Sequence, residues 1–334
     1  MKKINRNPFI NNLRSSLKSR NRYEYNRDKS KADALCGYTG VVTGAGIEFG
    51  YSTALALLRS GAEVIAAVDF PYNALKKYSD EKDFDLWKDR LYLYELDFKE
   101  YDEIIKFIKY TKDEFKSIDI IINCASQSSA RSREYYIEME KTEKLYEIET
   151  AEKKLDYNMI KSDKDDSWIK ENIYSRLNLQ DTDSYNMFVR VNRFMKMQTI
   201  NNTLPYLMIT ELKGSLLKSV HKNKFIINVI PVNTAFKENQ IIYSNMVRAS
   251  LNELTKSFED SLSKDNILIY SIDTGVSVEE SMEDFNDRKN KNDELSVVFD
   301  EAAVKICRPI FKNLNKNNIK DFEKAAHQMK ANNL

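Results

Sequence analysis

From Thr39 the chain alternates two kinds of apolar pattern. Short, mainly apolar runs end at Val41-Val42, fill Val64 to Val68 and Ile118 to Ile122, and return at Phe225 to Ile230 and Ile267 to Ile272, while Leu91 to Leu96 alternates Leu and Tyr like a strand and ends at Asp97. Such runs mark strands buried on both faces. Between them, Tyr51 to Arg59, Glu100 to Phe115, Tyr185 to Leu204, Ile241 to about Ser263 and Asp300 to Phe311 repeat apolar residues at helical spacing. The helix from Tyr185 is expected to stop near Pro205, and a last helix is expected at Phe322 to Met329. Strand and helix in strict alternation specify an α/β fold, a Rossmann-type doubly wound parallel sheet of seven or nearly seven strands. Ile118 to Ile122 belongs inside that sheet and not at its edge.

Two stretches break the pattern. Residues 131–183 are charged, helix-forming and free of Gly and Pro, with EMEKTEKLYEIETAEKKL at their centre. They read as a helical insertion, either a solvated one or a docking surface beside the sheet. Residues 1–36 form a basic N-terminal arm in which Lys2, Lys3, Arg6, Arg14, Lys18, Arg20 and Arg22 precede the first acid, Glu24. Phe9, Ile10, Leu13 and Leu17 fall at helical spacing within it. A presequence, an arm that docks on an acidic partner or RNA, and a solvated tail all fit this text. The organisation expected is the arm, a single domain over 37–315 carrying the insertion, and a C-terminal helix or tail over 316–334.

Composition narrows the chemistry. A net charge of +1 makes the molecule as a whole no polyanion binder, so any basic function is local. Three cysteines, Cys36, Cys124 and Cys307, are too sparse for a disulfide framework and match no metal-ligand spacing. They favour a reducing, intracellular setting; the cytoplasm is expected, with mitochondria left open by the arm. Two histidines make a His-based metal site or a Ser-His-Asp triad a poor fit, and no metal is expected. No apolar run approaches the ~20 residues of a membrane span.

The candidate chemistry sits after the first strand. Thr43-Gly44-Ala45-Gly46-Ile47-Glu48-Phe49-Gly50 joins strand to helix where a dinucleotide fold places its phosphate loop, and Asp69 ends the second strand. Here the sequence resembles the short-chain dehydrogenase/reductase family, over about Thr39 to Phe311. TGAGIEFG is similar to its TGxxxGxG loop, Asp97 to its adenine-side acid, Asn123-Cys124-Ala125-Ser126 to its NNAG turn, Asn192 to its helical Asn, and Thr274-Gly275 to its PG turn. A divergent subgroup with a long insertion after the NNAG-like turn is closer still, in GYSTALALLRSGAEVI, KFIINV, NMVRASLN and SIDTG. The resemblance implies a nicotinamide dinucleotide held by Thr43, Gly44, Gly46, Gly50, Asp69, Asp97, Asn123, Ala125, Thr274 and Gly275. Asp69, where the subgroup carries Arg, implies NAD rather than NADP.

The same resemblance exposes departures. Glu48 replaces the loop's middle glycine with a carboxylate that repels phosphate. Where the family places a serine at the end of the fifth strand, this chain reads Asn228-Val229-Ile230-Pro231. The Tyr-xxx-Lys pair has two registers here: Tyr243 with Val247, or Ser244 with Arg248 followed by Ala249-Ser250-Leu251. Neither supplies both an acidic phenol and a lysine, and Asn192 alone matches. The sequence therefore implies a degenerate site that binds NAD weakly or not at all. The chain would then serve as a structural or interaction subunit that meets protein partners through the arm and the insertion, with RNA a less favoured partner. The alternative is an NAD(H)-dependent oxidoreductase acting on a carbonyl or alcohol.

Overall fold

The computed structural model describes residues 34–46, 48–126, 191, 194–230, 238–274 and 292–314, with backbone alone for 238–244 and 292–299. The arm to residue 33, the insertion at 131–183, the tail from 316, and Asn192, Pro231 and Gly275 lie outside them.

Six strands are described: β1 (Thr39–Thr43), β2 (Glu63–Val68), β3 (Leu91–Glu95), β4 (Ile120–Asn123), β5 (Lys224–Ile230) and β6 (Ile267–Asp273). They form one sheet in the order β3-β2-β1-β4-β5-β6, and every pairing is parallel. The apolar run at Ile120–Ile122 is thus interior, flanked by β1 and β5. Side-chain alternation divides the core in two. Val42, Ala66, Val68, Ile122 and Ile227 face one layer, and Val41, Ile65, Ala67, Ile121 and Ile226 face the other, all 0% exposed. A strand covered on both sides has few polar positions, which is why the middle of these runs reads as apolar text. Burial of that kind contributes about 1.5–3 kcal/mol for each large aliphatic side chain.

Parallel strands need crossovers, and the helices supply them. The first layer is covered by α1 (Glu48–Arg59), α2 (Pro71–Ser79) and the C-terminal α6 (Asn292–Leu314). The second is covered by α3 (Tyr101–Glu114), α4 (Leu204–Leu217) and α5 (Glu238–Ser263). Proline starts α2 at its first turn, where the missing amide costs nothing. Arg59, at the end of α1, bonds both Asp83 (2.7 Å) and Glu81 (2.9 Å) and so ties that helix to the segment after α2.

Pro205 does not stop its helix. Residues 194–198 are already helical, a π-helical stretch follows at Thr199–Thr203, and Pro205 sits buried in the first turn of α4. The wider π turn gives the ring room, and its absent amide falls where the helical ladder is already interrupted. The expectation of a helix ending there is corrected, and α4 was missed because Pro205 reads as a terminator.

Burial raises the Asp300 carboxyl above its usual range, opposed by its hydrogen bond with the Ser52 hydroxyl. A raised folded-state value means that the ionised form costs stability once pH rises through it. Asp300→Asn should therefore be the more stable protein at neutral pH, with the difference shrinking as pH falls into the carboxylate range. Urea denaturation at a series of pH values measures this.

Candidate nucleotide-binding site

The sheet order reverses between β1 and β4, and in such sheets the crevice at the carboxyl ends of the strands on either side of that point receives the ligand. The loop after β1 is held there by contacts that only glycine permits. Gly44 has φ +70°, and a Cβ on it would lie 2.8 Å from Ala125 Cα. A Cβ on Gly50 would lie 2.1 Å from the Gly44 carbonyl oxygen. Gly46 is different, since its nearest neighbour would stand at 3.5 Å, ordinary contact. The Ala45 amide donates to the Ala67 carbonyl (3.1 Å), the Tyr78 hydroxyl donates to the Ala45 carbonyl (2.8 Å), and the Ala125 amide donates to Thr43 Oγ1 (3.2 Å). Thr43, Gly44, Gly50 and Ala125 are therefore one interlocked turn, with Gly46 against Val68 beside it.

Glu48 opens α1 with φ +50°, one of two non-glycine residues at positive φ among those described. A side chain in the left-handed region costs about 1–2 kcal/mol, of which a carboxylate at a helix N-terminus recovers roughly 0.3–1. The backbone here is left-handed, a conformation that favours glycine, while the residue carries a Cβ and a carboxylate. Glu48 acts electrostatically on Lys77, together with Glu81 and Asp300. Asp69 is half-buried directly after β2, whose Ala67 pairs with Thr43. Asp97 is exposed beyond β3 and accepts from the Lys99 amide (2.9 Å), turning the chain into α3.

A polar row crosses the sheet beneath this loop. Thr43, Asn123, Asn228 and Ser271 are successive register partners on β1, β4, β5 and β6. Asn123 Nδ2 donates to Asn228 Oδ1 (2.8 Å), Asn228 Nδ2 to Thr255 Oγ1 (3.0 Å), and the Ser271 hydroxyl to Asn252 Oδ1 (2.8 Å). The last two bonds seat α5 on the sheet. Asn123 Oδ1 is buried with no partner among the described residues. Asn228, Thr255, Ser271 and Asn252 were not anticipated. The signal lay in IIIN and FIIN, two apolar runs broken by Asn at the same depth. Beside the row, burial pushes the Cys124 thiol up to about 12, so it stays protonated at neutral pH and is no nucleophile.

Toward β6, Val247 is buried on the inner face of α5, while Arg248 reaches the carboxyl end of β6 and bonds Asp273 at 2.7 Å. Arg248 therefore reaches the carboxyl edge of the sheet at β6, while Val247 turns inward. Ile230, at the end of β5, is 4% exposed and pairs in register with Asp273. Thr274 is buried, and its carbonyl accepts from Lys305 (2.6 Å). The side chains of Tyr243 and Ser244 lie outside those described, as do Asn192 and Gly275. Among the described residues no group of His, Cys, Asp and Glu is arranged to hold a metal ion. No described helix is long and apolar enough to cross a membrane.

A doubly wound parallel sheet with a glycine turn after its first strand defines a Rossmann-type nucleotide-binding domain. Residues 39–151, about a third of the chain, match the family described as short chain dehydrogenase. An uncharacterized protein of Acanthamoeba polyphaga mimivirus is 32% identical over 99 residues, 28% of this chain and 21% of that one. The chain thus matches about a fifth of that relative's length. Among solved structures, the NADP complex of RhlG from Pseudomonas aeruginosa superposes with a TM-score of 0.53 at 15% identity, covering 83% of this chain and 90% of that one. A hydroxysteroid dehydrogenase from Escherichia coli gives 0.50 at 11% identity, over 83% and 91%. At these identities the likeness is one of fold.

Two glycine-related substitutions should move stability in opposite directions. Gly50→Ala should cost more than about 2 kcal/mol, because its Cβ meets backbone rather than a flexible side chain. Glu48→Gly should gain up to about 1 kcal/mol by removing left-handed strain, less the entropy that glycine adds to the unfolded chain. Urea midpoints of the three proteins decide both.

Proposed function

We propose that this protein is a non-catalytic member of its family, a nucleotide-fold subunit that works by association rather than by hydride transfer. Its crevice takes NAD(H) weakly, in preference to NADP(H). The observation that carries this reading is the Arg248–Asp273 pair. In the register that aligns Ser244 with Arg248 the resemblance puts a lysine at position 248, and in this chain the cation there is paired with the Asp273 carboxylate; in the other register the lysine's place is taken by Val247. The Arg248 cation is a guanidinium, which stays protonated and passes on no proton. Ile230, buried where the family places its substrate-holding serine, offers no donor. Glu48 adds negative charge to a loop that would receive a pyrophosphate. Asp69 suits a ribose 2′-hydroxyl and disfavours a 2′-phosphate, hence the order NAD before NADP.

With chemistry set aside, function passes to the parts added to the domain. Protein partners meet the insertion at 131–183 and the arm, in an intracellular and chiefly cytoplasmic setting.

Positioned general acid–base groups are worth ~10²–10⁴-fold, so their loss leaves no practical rate. A panel of aldehydes, ketones and alcohols followed by nicotinamide absorbance should show no turnover with either cofactor. Tyr243→Phe and Arg248→Ala should be indistinguishable from the parent. Robust turnover abolished by Tyr243→Phe would instead establish a working reductase, and tighter binding of NADP than NAD would remove Asp69 from the ribose.

A further inference from the structure

Glu48 is followed at three and four positions by Tyr51 and Ser52, so the three share one face at the start of α1. Tyr51 and Ser52 are buried, and each is bonded to a carboxylate. The Tyr51 hydroxyl donates to Glu81 Oε1 (2.5 Å), and the Ser52 hydroxyl to Asp300 on α6. Lys77 enters from α2. The residue as a whole is exposed, but its ammonium is turned onto the Tyr51 ring, 3.9 Å from the centroid. Its neighbour Tyr78 packs on Tyr51 with ring centroids 4.7 Å apart and donates to the Ala45 carbonyl of the glycine loop (2.8 Å). α2 is thereby fastened to the loop, and residue 77 is carried to the start of α1.

The charges around that ammonium are not equivalent. Glu48, Glu81 and Asp300 all act on it, Glu48 the most strongly. Glu81 is also bound by Arg59 (2.9 Å) and by Tyr51, and Arg59 shares its guanidinium with Asp83 (2.7 Å). Asp300 is held by Ser52, and burial raises its carboxyl above the usual range. Desolvation lowers the Lys77 pKa, and the Glu48 carboxylate is foremost among the acids that oppose the shift. Glu48 is therefore the acid to which the Lys77 charge chiefly answers.

We propose that Lys77 is the counter-ion of Glu48, drawing that carboxylate toward α2 and α6 and so limiting the negative charge that a dinucleotide meets at the glycine loop. On the reading that Glu48 weakens NAD(H) binding, on which this rests, Lys77 keeps the weakening moderate. It is a positioning residue and acts through Glu48, with its ammonium engaged by the Tyr51 ring and the surrounding carboxylates instead of by the ligand. A loop charge set by a pair can be adjusted from either partner without touching the glycines that shape the turn.

The test is a double-mutant cycle read by NADH fluorescence titration and, on the same proteins, by urea denaturation. Lys77→Met should weaken NADH binding about tenfold where Glu48 is present and less than about twofold in Glu48→Gln, while Lys77→Arg should stay within about threefold of the parent. Lys77→Met should also lower the urea midpoint at least about twice as much in the parent as in Glu48→Gln, a difference that shrinks between ~50 mM and ~1 M salt. The urea cycle needs no ligand, so it decides the matter even where the parent holds NADH too weakly to titrate. An NADH affinity indifferent to Lys77→Met, or urea midpoints that add without coupling, would overturn the inference. So would an equal loss of affinity in both backgrounds, which would make Lys77 a direct contact of the ligand. Glu48→Gln alone separates the two claims. An NADH affinity unchanged by it, with the stability coupling intact, would contradict the reading of the loop charge and still support the pair.

Discussion

Two backbone approaches, Gly44 against the Ala125 turn and Gly50 against the Gly44 carbonyl, hold the carboxyl edge of the sheet together. They lock the loop after β1 to the turn after β4, the two strands between which the strand order reverses. Neither approach tolerates a Cβ. Around them Tyr78 and the Ala67 carbonyl pin Ala45, and Thr43 carries the link into the polar row. The turn at the mouth of the crevice is thus set by close main-chain approaches, supported by the Tyr78 hydroxyl and Thr43 Oγ1.

The polar row extends the same constraint to α5. Buried amides are costly unless paired, and Asn123 and Asn228 are paired to one another and then to Thr255. This places α5 on the sheet through hydrogen bonds as well as apolar contact, and with it the position of Arg248. The Arg248–Asp273 pair, partly exposed, adds little stability of its own. Its importance is that it occupies the cation.

Much of this was legible in the sequence, because strands buried on both faces cannot hide. The runs at Val64, Ile118 and Phe225 lie in the sheet, and the glycine loop lies between β1 and α1. Pro205 misled, since local propensity reads proline as a terminator and cannot see a π turn ahead of it. The row of Asn123, Asn228 and Ser271 was invisible for a different reason: it exists only through strand register, which brings together residues more than a hundred positions apart.

At Glu48 the loop combines a left-handed backbone with a negative charge, and the proposed weakness of NAD binding rests on that charge. Titration of NADH by its fluorescence, in the parent protein and in Glu48→Gly, tests it most directly. Weak binding in the parent, tightened about tenfold or more by the substitution, about 1.4 kcal/mol, is the predicted result. Tight binding in the parent, unchanged when the carboxylate is removed, would contradict it.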